Sequence, residues 1–400
     1  MKKTYLLIIL LLSLFTTNLT YAYPPDNAAV LYYKHMEHFS KPDEALWDQI
    51  ADLPTSGEPA SEEAKVFIEK QKKNHLIPEL QIASELDQCD WGLDFSQGFD
   101  LLMPGLSHMR DFSKLMLADA AVAASEEKTA TALEKNLTVR RMAQHTYRGG
   151  TLINYLVSFA MTKESNRALE HILATYSIEL TDLMNLKREL LLESYSPASI
   201  RDPLSGERNV AVLEFGRMTP ARLKSFFYGG LLEDPSENKK KKSLLEKKLE
   251  LKGPAYTDFI NGSIEYLDKY YDSLFTLLDK PYSQAFNSIN QELEKVTDDV
   301  NAGNTDAILT ATFVPAVSQC YNYTALWKTE HNALLTALDV YAISQKTGKL
   351  PQKLPNNSYV DAFSGKPFIY EVTKDGFILK CQQEDLVKKT THEFSYKLPK

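Results

Sequence analysis

Residues 107–124 read SHMRDFSKLMLADAAVAA. Met109, Phe112, Leu115, Met116 and Ala120 recur at three- and four-residue spacing, which lines one face of an α-helix, and Ser107 can cap its start. A second helix is expected over about 126–144, before Gly149 and Gly150 break the chain. A third, Leu152 to Met161, is apolar on nearly all sides and should be buried. A fourth runs from Arg167 to Tyr176. Thr181 caps a fifth, with Leu183, Leu186, Leu190 and Leu191 on one face. Connections this short make consecutive helices antiparallel, so this part predicts a bundle or a stack of helical hairpins. No fixed-period repeat supports a regular solenoid.

Upstream, residues 23 to about 105 are the least regular. Pro54, Gly57 and Pro59 mark a loop, and Ser61 to Lys72 reads as a short helix. The segment Asp87–Gly105 concentrates Cys89, Trp91, Phe95, Phe99, Leu101, Leu102, Met103 and Pro104. A packing centre is expected there in preference to a ligand pocket, because aromatic residues mostly serve burial. At the start of the chain, Lys2 and Lys3 precede an apolar run from Tyr5 to Phe15, and Thr20-Tyr21-Ala22 offers small residues for cleavage. That is the layout of a secretory signal peptide over residues 1–22, too short to span a bilayer, where about 20 apolar residues are needed. The expectation is an exported protein, periplasmic or extracellular, with no membrane-spanning segment after cleavage.

Downstream, Pro197, Pro203, Gly206, Gly216, Pro220, Gly229 and Gly230 punctuate residues 196–233, which predict an irregular connection with one strand at Val210–Phe215. Asp234-Pro235 signals a new helix, and Lys239–Lys242 near its start reads as a solvated face. Gly253-Pro254 ends that helix. Ile260, Ile264, Leu267, Tyr271, Leu274, Phe275 and Leu278 then trace the best amphipathic stripe in the chain, and another helix follows over Tyr282–Val296. After a break at 301–304, a long helix is expected from about Cys320 to Gln345. Phe368–Val372 and Phe377–Cys381 flank a turn containing Asp375-Gly376, a hairpin signal, and His392, Phe394 and Tyr396 alternate as a third strand. The whole reads as mainly α: a helical bundle or stacked helical hairpins followed by a small C-terminal α+β domain, one long helix plus an antiparallel sheet. The divisions are 1–22 signal peptide, 23–195 N-terminal helical domain, 196–233 connection, 234–315 helical region packing with the first domain, and 316–400 the α+β domain. Within the last, Ala333, Leu334, Ala337, Leu338 and Tyr341 form the stripe on which the sheet should rest.

The net charge is −8, and more negative once Lys2 and Lys3 leave, which gives no electrostatic case for nucleic acid. Cys89, Cys320 and Cys381 are too few for a disulfide scaffold. One bridge among them and three buried thiols both remain open, with no preferred pair.

The tail has a familiar pattern. Leu338-Asp339-Val340-Tyr341, Thr347-Gly348-Lys349-Leu350-Pro351, Asp361 to Tyr370 (DAFSGKPFIY) and Asp375-Gly376-Phe377 resemble, in order and spacing, the C-terminal half of type II secretion major-pseudopilin-like domains. The resemblance implies a helix, a loop and a strand pair. It does not extend to the membrane helix of a pilin, and Leu379–Gln383 replaces the calcium-binding segment, so neither filament assembly nor a calcium site is implied. The segments Pro24–Tyr33 and Thr151–Val157, with the tail loop, resemble a loosely defined group of exported proteins of planctomycete-type bacteria, which implies export and no activity.

No metalloprotease, nucleophile-elbow, P-loop or dinucleotide motif occurs, and the sequence implies no cofactor and no metal. His35 and His38 flank Glu37, but two ligands do not make a metal site. Glu170-His171 and Glu330-His331 sit side by side on helices, where adjacent residues do not face each other. Two functions compete. One is an exported non-catalytic scaffold or interaction protein of the cell envelope, its partner an envelope or secretion-system protein. The other is an exported hydrolase with a carboxylate/histidine site in the helical domain, for which Asp87, Asp90, Asp94, His108 and His145 are the candidates if a polar pocket gathers two or more of them. Catalytic residues are otherwise unknown.

Overall fold

The computed structural model describes residues 26–103, 105–192, 199–228, 239–314, 317–355 and 359–399. The expected signal peptide and the Asp234-Pro235 start signal lie outside them. The architecture is mainly α with a small antiparallel β layer at the C-terminus.

Four short helices open the described part of the chain: α1 (Ala28–Met36), α2 (Glu44–Ser56), α3 (Glu62–Lys73) and α4 (Leu76–Ser84). Their starts follow capping chemistry, since Asn27, Asp43 and Ser61 each accept a backbone N–H of the first turn. α2 ends where Gly57 takes a left-handed conformation (φ 71°) that a side chain would strain. A short 3-10 turn (Phe95–Asp100) leads to α5 (Gly105–Ser125), which starts two residues before the expected cap at Ser107. α5, α6 (Thr129–Tyr147) and α7 (Leu152–Thr175) pack consecutively as antiparallel hairpins.

α7 is one continuous helix, not the two expected around a break at 162–166. Two of the polar residues there are buried and paired across the interface: Ser165 donates to Asn136 of α6, and Asn166 accepts from Arg140. α8 (Leu180–Leu190) follows, with Glu179 rather than Thr181 at its cap position.

The expected irregular connection is largely helical. α9 (Arg201–Gly216) and α10 (Pro220–Tyr228) occupy it, and Val210–Phe215 is helix, not strand. Pro203 sits in the first turn of α9, where a missing N–H costs nothing. Gly206 is a close-contact glycine, because a Cβ there would overlap the carbonyl oxygen of Gly150. α11 (Lys239–Leu249), α12 (Pro254–Leu277), α13 (Tyr282–Ala302), α14 (Ala307–Phe313) and the long α15 (Val317–Thr347) complete the helices. α12 buries Ile260, Leu267, Tyr271 and Leu274, the stripe read from its period.

Strands β1 (Val360–Asp361) and β2 (Lys366–Pro367) form a two-residue ribbon. β3 (Ile369–Val372), β4 (Gly376–Lys380) and β5 (Glu393–Lys397) form an antiparallel sheet in sequence order, with Val372 opposite Phe377 and Phe377 opposite Tyr396. Phe377, Leu379 and Tyr396 point inward. Tyr341 of α15 meets Phe377 and Tyr396 edge-on, at 5.6 and 6.4 Å between ring centres, and its hydroxyl donates to the Lys397 carbonyl at 2.7 Å.

Two apolar clusters fill the interior. One joins α1–α4 to α5 and α6 around Ile50, Ile77, Leu80, Phe112 and Met116. The other runs from α7 through α9, α12, α13 and α15 into the sheet. Trp327 of α15 lies near its middle, 5.7 and 5.8 Å from Tyr155 and Phe159 of α7. The change of secondary structure in the tail is therefore not a break in the core. Cys89, Cys320 and Cys381 are buried and free, packing as small hydrophobes.

Candidate functional site

The five candidate hydrolase residues are not gathered into one pocket. Asp87, Asp90 and Asp94 lie exposed on the segment after α4. Asp90 accepts the Gly92 N–H at 2.9 Å, and Asp94 accepts the Ser96 N–H at 3.0 Å to start the 3-10 turn, both local turn roles. His145 is buried. Its Nε2 faces the Leu86 carbonyl at 3.0 Å, which can only accept, so Nε2 carries the proton and Nδ1 accepts from the Tyr32 hydroxyl at 2.9 Å. Burial pushes His145 down to about 4, so it is neutral at ordinary pH. Trp91 donates to the His145 carbonyl at 2.7 Å and stacks on Tyr32. Of the residues expected to make this segment a packing centre, Cys89 and Trp91 are buried, while Phe95, Phe99, Leu101 and Met103 are half-buried and Leu102 is exposed, so the segment packs at the edge of the core and not at its centre. His108 packs near Phe112, and the void of about 10 Å³ beside Trp91, Met103 and Met109 borders none of the five.

His35 lies 2.9 Å from Glu79, a carboxylate it shares with Lys34. Among the described residues no group of three or more His, Cys, Asp or Glu could hold a metal ion.

The two helix dyads behave differently. Glu170 and His171 do turn to different sides of α7, as adjacency dictates. Packing of α7 on α15, however, brings Glu170 within electrostatic reach of Glu330, under β5. Asn166 links the cluster, accepting from Arg140 and donating to Glu330 at 3.2 Å. Burial pushes the Glu170 carboxyl up to about 7, the Glu330 charge pushes the same way, and Arg167 and Arg140 oppose both. Burial also raises Glu330, against Lys163 and Asn166. His331, buried beside it, is held down to about 3 by burial and by Arg140. The Tyr396 hydroxyl, within electrostatic reach of both carboxylates, is buried without a hydrogen-bond partner among the described residues. Of the two, Glu170 is the carboxyl placed to hold a proton near neutral pH. Nothing in the local sequence announces this pairing, because its members are 160 residues apart and meet only through helix packing.

The far end of α7 borders two concavities that share Tyr176. One, of about 280 Å³, lies between α7, α8, α15 and the chain end, walled by Leu173, Ile178, Leu183, Tyr341 and Leu398. The other, of about 160 Å³, lies on the His171 side, between α2, α5 and α7. Neither borders Glu170 or Glu330. No family profile, curated protein or solved structure matches the chain.

Proposed function

We propose that the protein is an exported, non-catalytic scaffold and interaction protein of the cell envelope, whose partner is an envelope or secretion-system protein. The observation that carries this reading is the groove of about 280 Å³ at the junction of helices and sheet. Its walls are apolar, its floor includes Tyr341, and elements from three parts of the chain meet around it. Such a groove suits apolar side chains of a partner, with orientation set at the rim by polar groups such as Ser344. Export rests on the sequence of residues 1–22, and the link to secretion rests on the tail's resemblance to pseudopilin-like domains.

The hydrolase reading is favoured by one observation, the Glu170–Glu330 pair, since buried carboxyls raised above their ordinary range are what general acid catalysis uses. Both readings meet in one experiment. Wild type and Ser344→Trp, which fills the groove, are crosslinked in native envelope and the captured proteins compared. A partner held by wild type and lost by Ser344→Trp supports the interaction reading. Hydrolysis of polysaccharide or ester substrates that Glu170→Gln abolishes, with no groove-dependent partner, would establish the other.

A further inference from the structure

The smaller concavity between α2, α5 and α7 is a separate feature from the groove. Gly57 turns the chain at the end of α2, and the strap Glu58-Pro59-Ala60 passes over the opening. Leu53, Leu117, Val122 and Ile172 wall it, while Ala121 and Ala168 stand where larger side chains would fill the space. About 160 Å³ is left open. An engineered apolar cavity of roughly 150 Å³ holds a benzene-sized guest, and apolar walls hold water poorly because each water needs two to four polar partners.

Four residues with polar groups line this pocket, Glu58, Ser125, His171 and Tyr176, and of these His171 stands opposite the glycine turn. His171 is half-buried at the rim and makes no hydrogen bond among the described residues. Its ring is turned so that Cε1, the carbon between the two nitrogens, faces Gly57 across the opening, 3.6 Å from where a Cβ would stand. Burial lowers the imidazole pKa, so the ring is neutral and can donate through one nitrogen and accept through the other. Glu58, on the strap, adds negative charge at the mouth.

We propose that this pocket binds a small neutral aromatic or branched aliphatic molecule with one hydrogen-bonding group, about the size of phenol, its apolar body against Leu117 and Ile172 and its polar group on His171. An anion of the same size is disfavoured, because a neutral imidazole cannot offset its charge and Glu58 repels it. The site meets the groove only at Tyr176 and is argued from other residues, so its fate does not decide the interaction reading.

The test is titration of the full protein with phenol, benzene and benzoate, followed by methyl NMR. Phenol should shift the methyl signals of Leu117, Val122 and Ile172, with a Kd of roughly 0.1–1 mM, as suits a guest of so few atoms. It should bind roughly three- to ten-fold more tightly than benzene, the value of one hydrogen bond, and benzoate more weakly than both. Ala121→Leu, which fills the space, should abolish the shifts, and His171→Phe should bring phenol down to the affinity of benzene. Unchanged phenol binding in a folded Ala121→Leu variant would overturn the proposal. So would wild-type methyl signals that stay still up to the solubility limit of phenol.

Discussion

Gly206 of α9 lies against the carbonyl oxygen of Gly150, so close that a Cβ at 206 would overlap that oxygen. The contact is backbone on backbone, and neither side has a flexible end that can give way. It locks α9 onto the turn between α6 and α7.

Gly206→Ala should therefore lower stability by about 3 kcal/mol or more, as overpacking against rigid neighbours does. Gly216→Ala, at the end of the same helix with nothing within 4 Å of its Cβ position, should change stability by less than about 1 kcal/mol. Urea unfolding of the two variants checks this, and equal midpoints would show that the contact is not as tight as described.

Glu170 should impose a pH dependence of definite sign. Its carboxyl is raised from 4.5 to about 7 in the folded state, under burial and Glu330, against Arg167 and Arg140, with Tyr341 and Tyr396 facing it. The folded state thus holds this proton more tightly than the unfolded state. The contribution is fully present below pH 4.5 and is lost as pH rises through about 7, by at most about 3 kcal/mol. His145 and His331 act oppositely. Their folded values are depressed, so their contribution is present above about 6.5 and is lost as pH falls toward 4 and 3. Glu170→Gln should flatten the loss of melting temperature between pH 5 and 8 and leave the acid limb unchanged. An unchanged slope above pH 5 in that variant would remove Glu170 as its source.

Glu214 of α9 should hold the Phe95–Asp100 turn in place. Its buried carboxylate binds Arg217 and Arg222 and accepts the Phe99 N–H at 3.3 Å, while Arg222 also reaches Asp100 at 2.7 Å. The two arginines keep this carboxyl ionised despite its burial. Glu214→Ala removes the carboxylate from two partly exposed arginines that keep their other partners, Asp100 and the Ser96 carbonyl, and should cost about 1–3 kcal/mol. Limited proteolysis should cut the variant within residues 93–103 at protease levels that spare wild type. Protection equal to wild type would show the turn is held by its other contacts.

Tyr341 tests whether the tail is separable. Its ring seats β4 and β5, but the apolar cluster it belongs to runs without interruption into α7, α12 and α13. Tyr341→Phe loses only the bond to Lys397 and should cost about 1 kcal/mol. Tyr341→Asp places an unpaired charge in that shared cluster, so tail and helices should lose protection together. Cleavage confined to residues 348–399 in Tyr341→Asp would show that the sheet unfolds alone.

What could be read from the sequence was local. The three- and four-residue spacing of Met109, Phe112 and Met116 and the stripe through Ile260 and Leu267 gave helices where they are found, because one apolar face suffices to define them. Asp375-Gly376 and the alternation through Tyr396 gave the sheet for the same reason. Errors arose where a residue's role is set by a distant neighbour. Gly206 signals a break until Gly150 is seen beside it, and the helices ending at Met161 and starting at Arg167 join into one once Ser165 and Asn166 are paired with Asn136 and Arg140. The Glu170–Glu330 pair and the pocket under Gly57 depend wholly on packing, so no spacing rule reaches them.

The interaction reading is tested most directly by placing a photo-crosslinking residue at Gln345, on the exposed rim of the groove, and at Glu265, exposed on α12. After illumination of native envelope, the account predicts a discrete crosslinked protein from position 345, absent from position 265 and lost when Ser344→Trp fills the groove. Identical patterns from both positions, or a crosslink that survives Ser344→Trp, would contradict it.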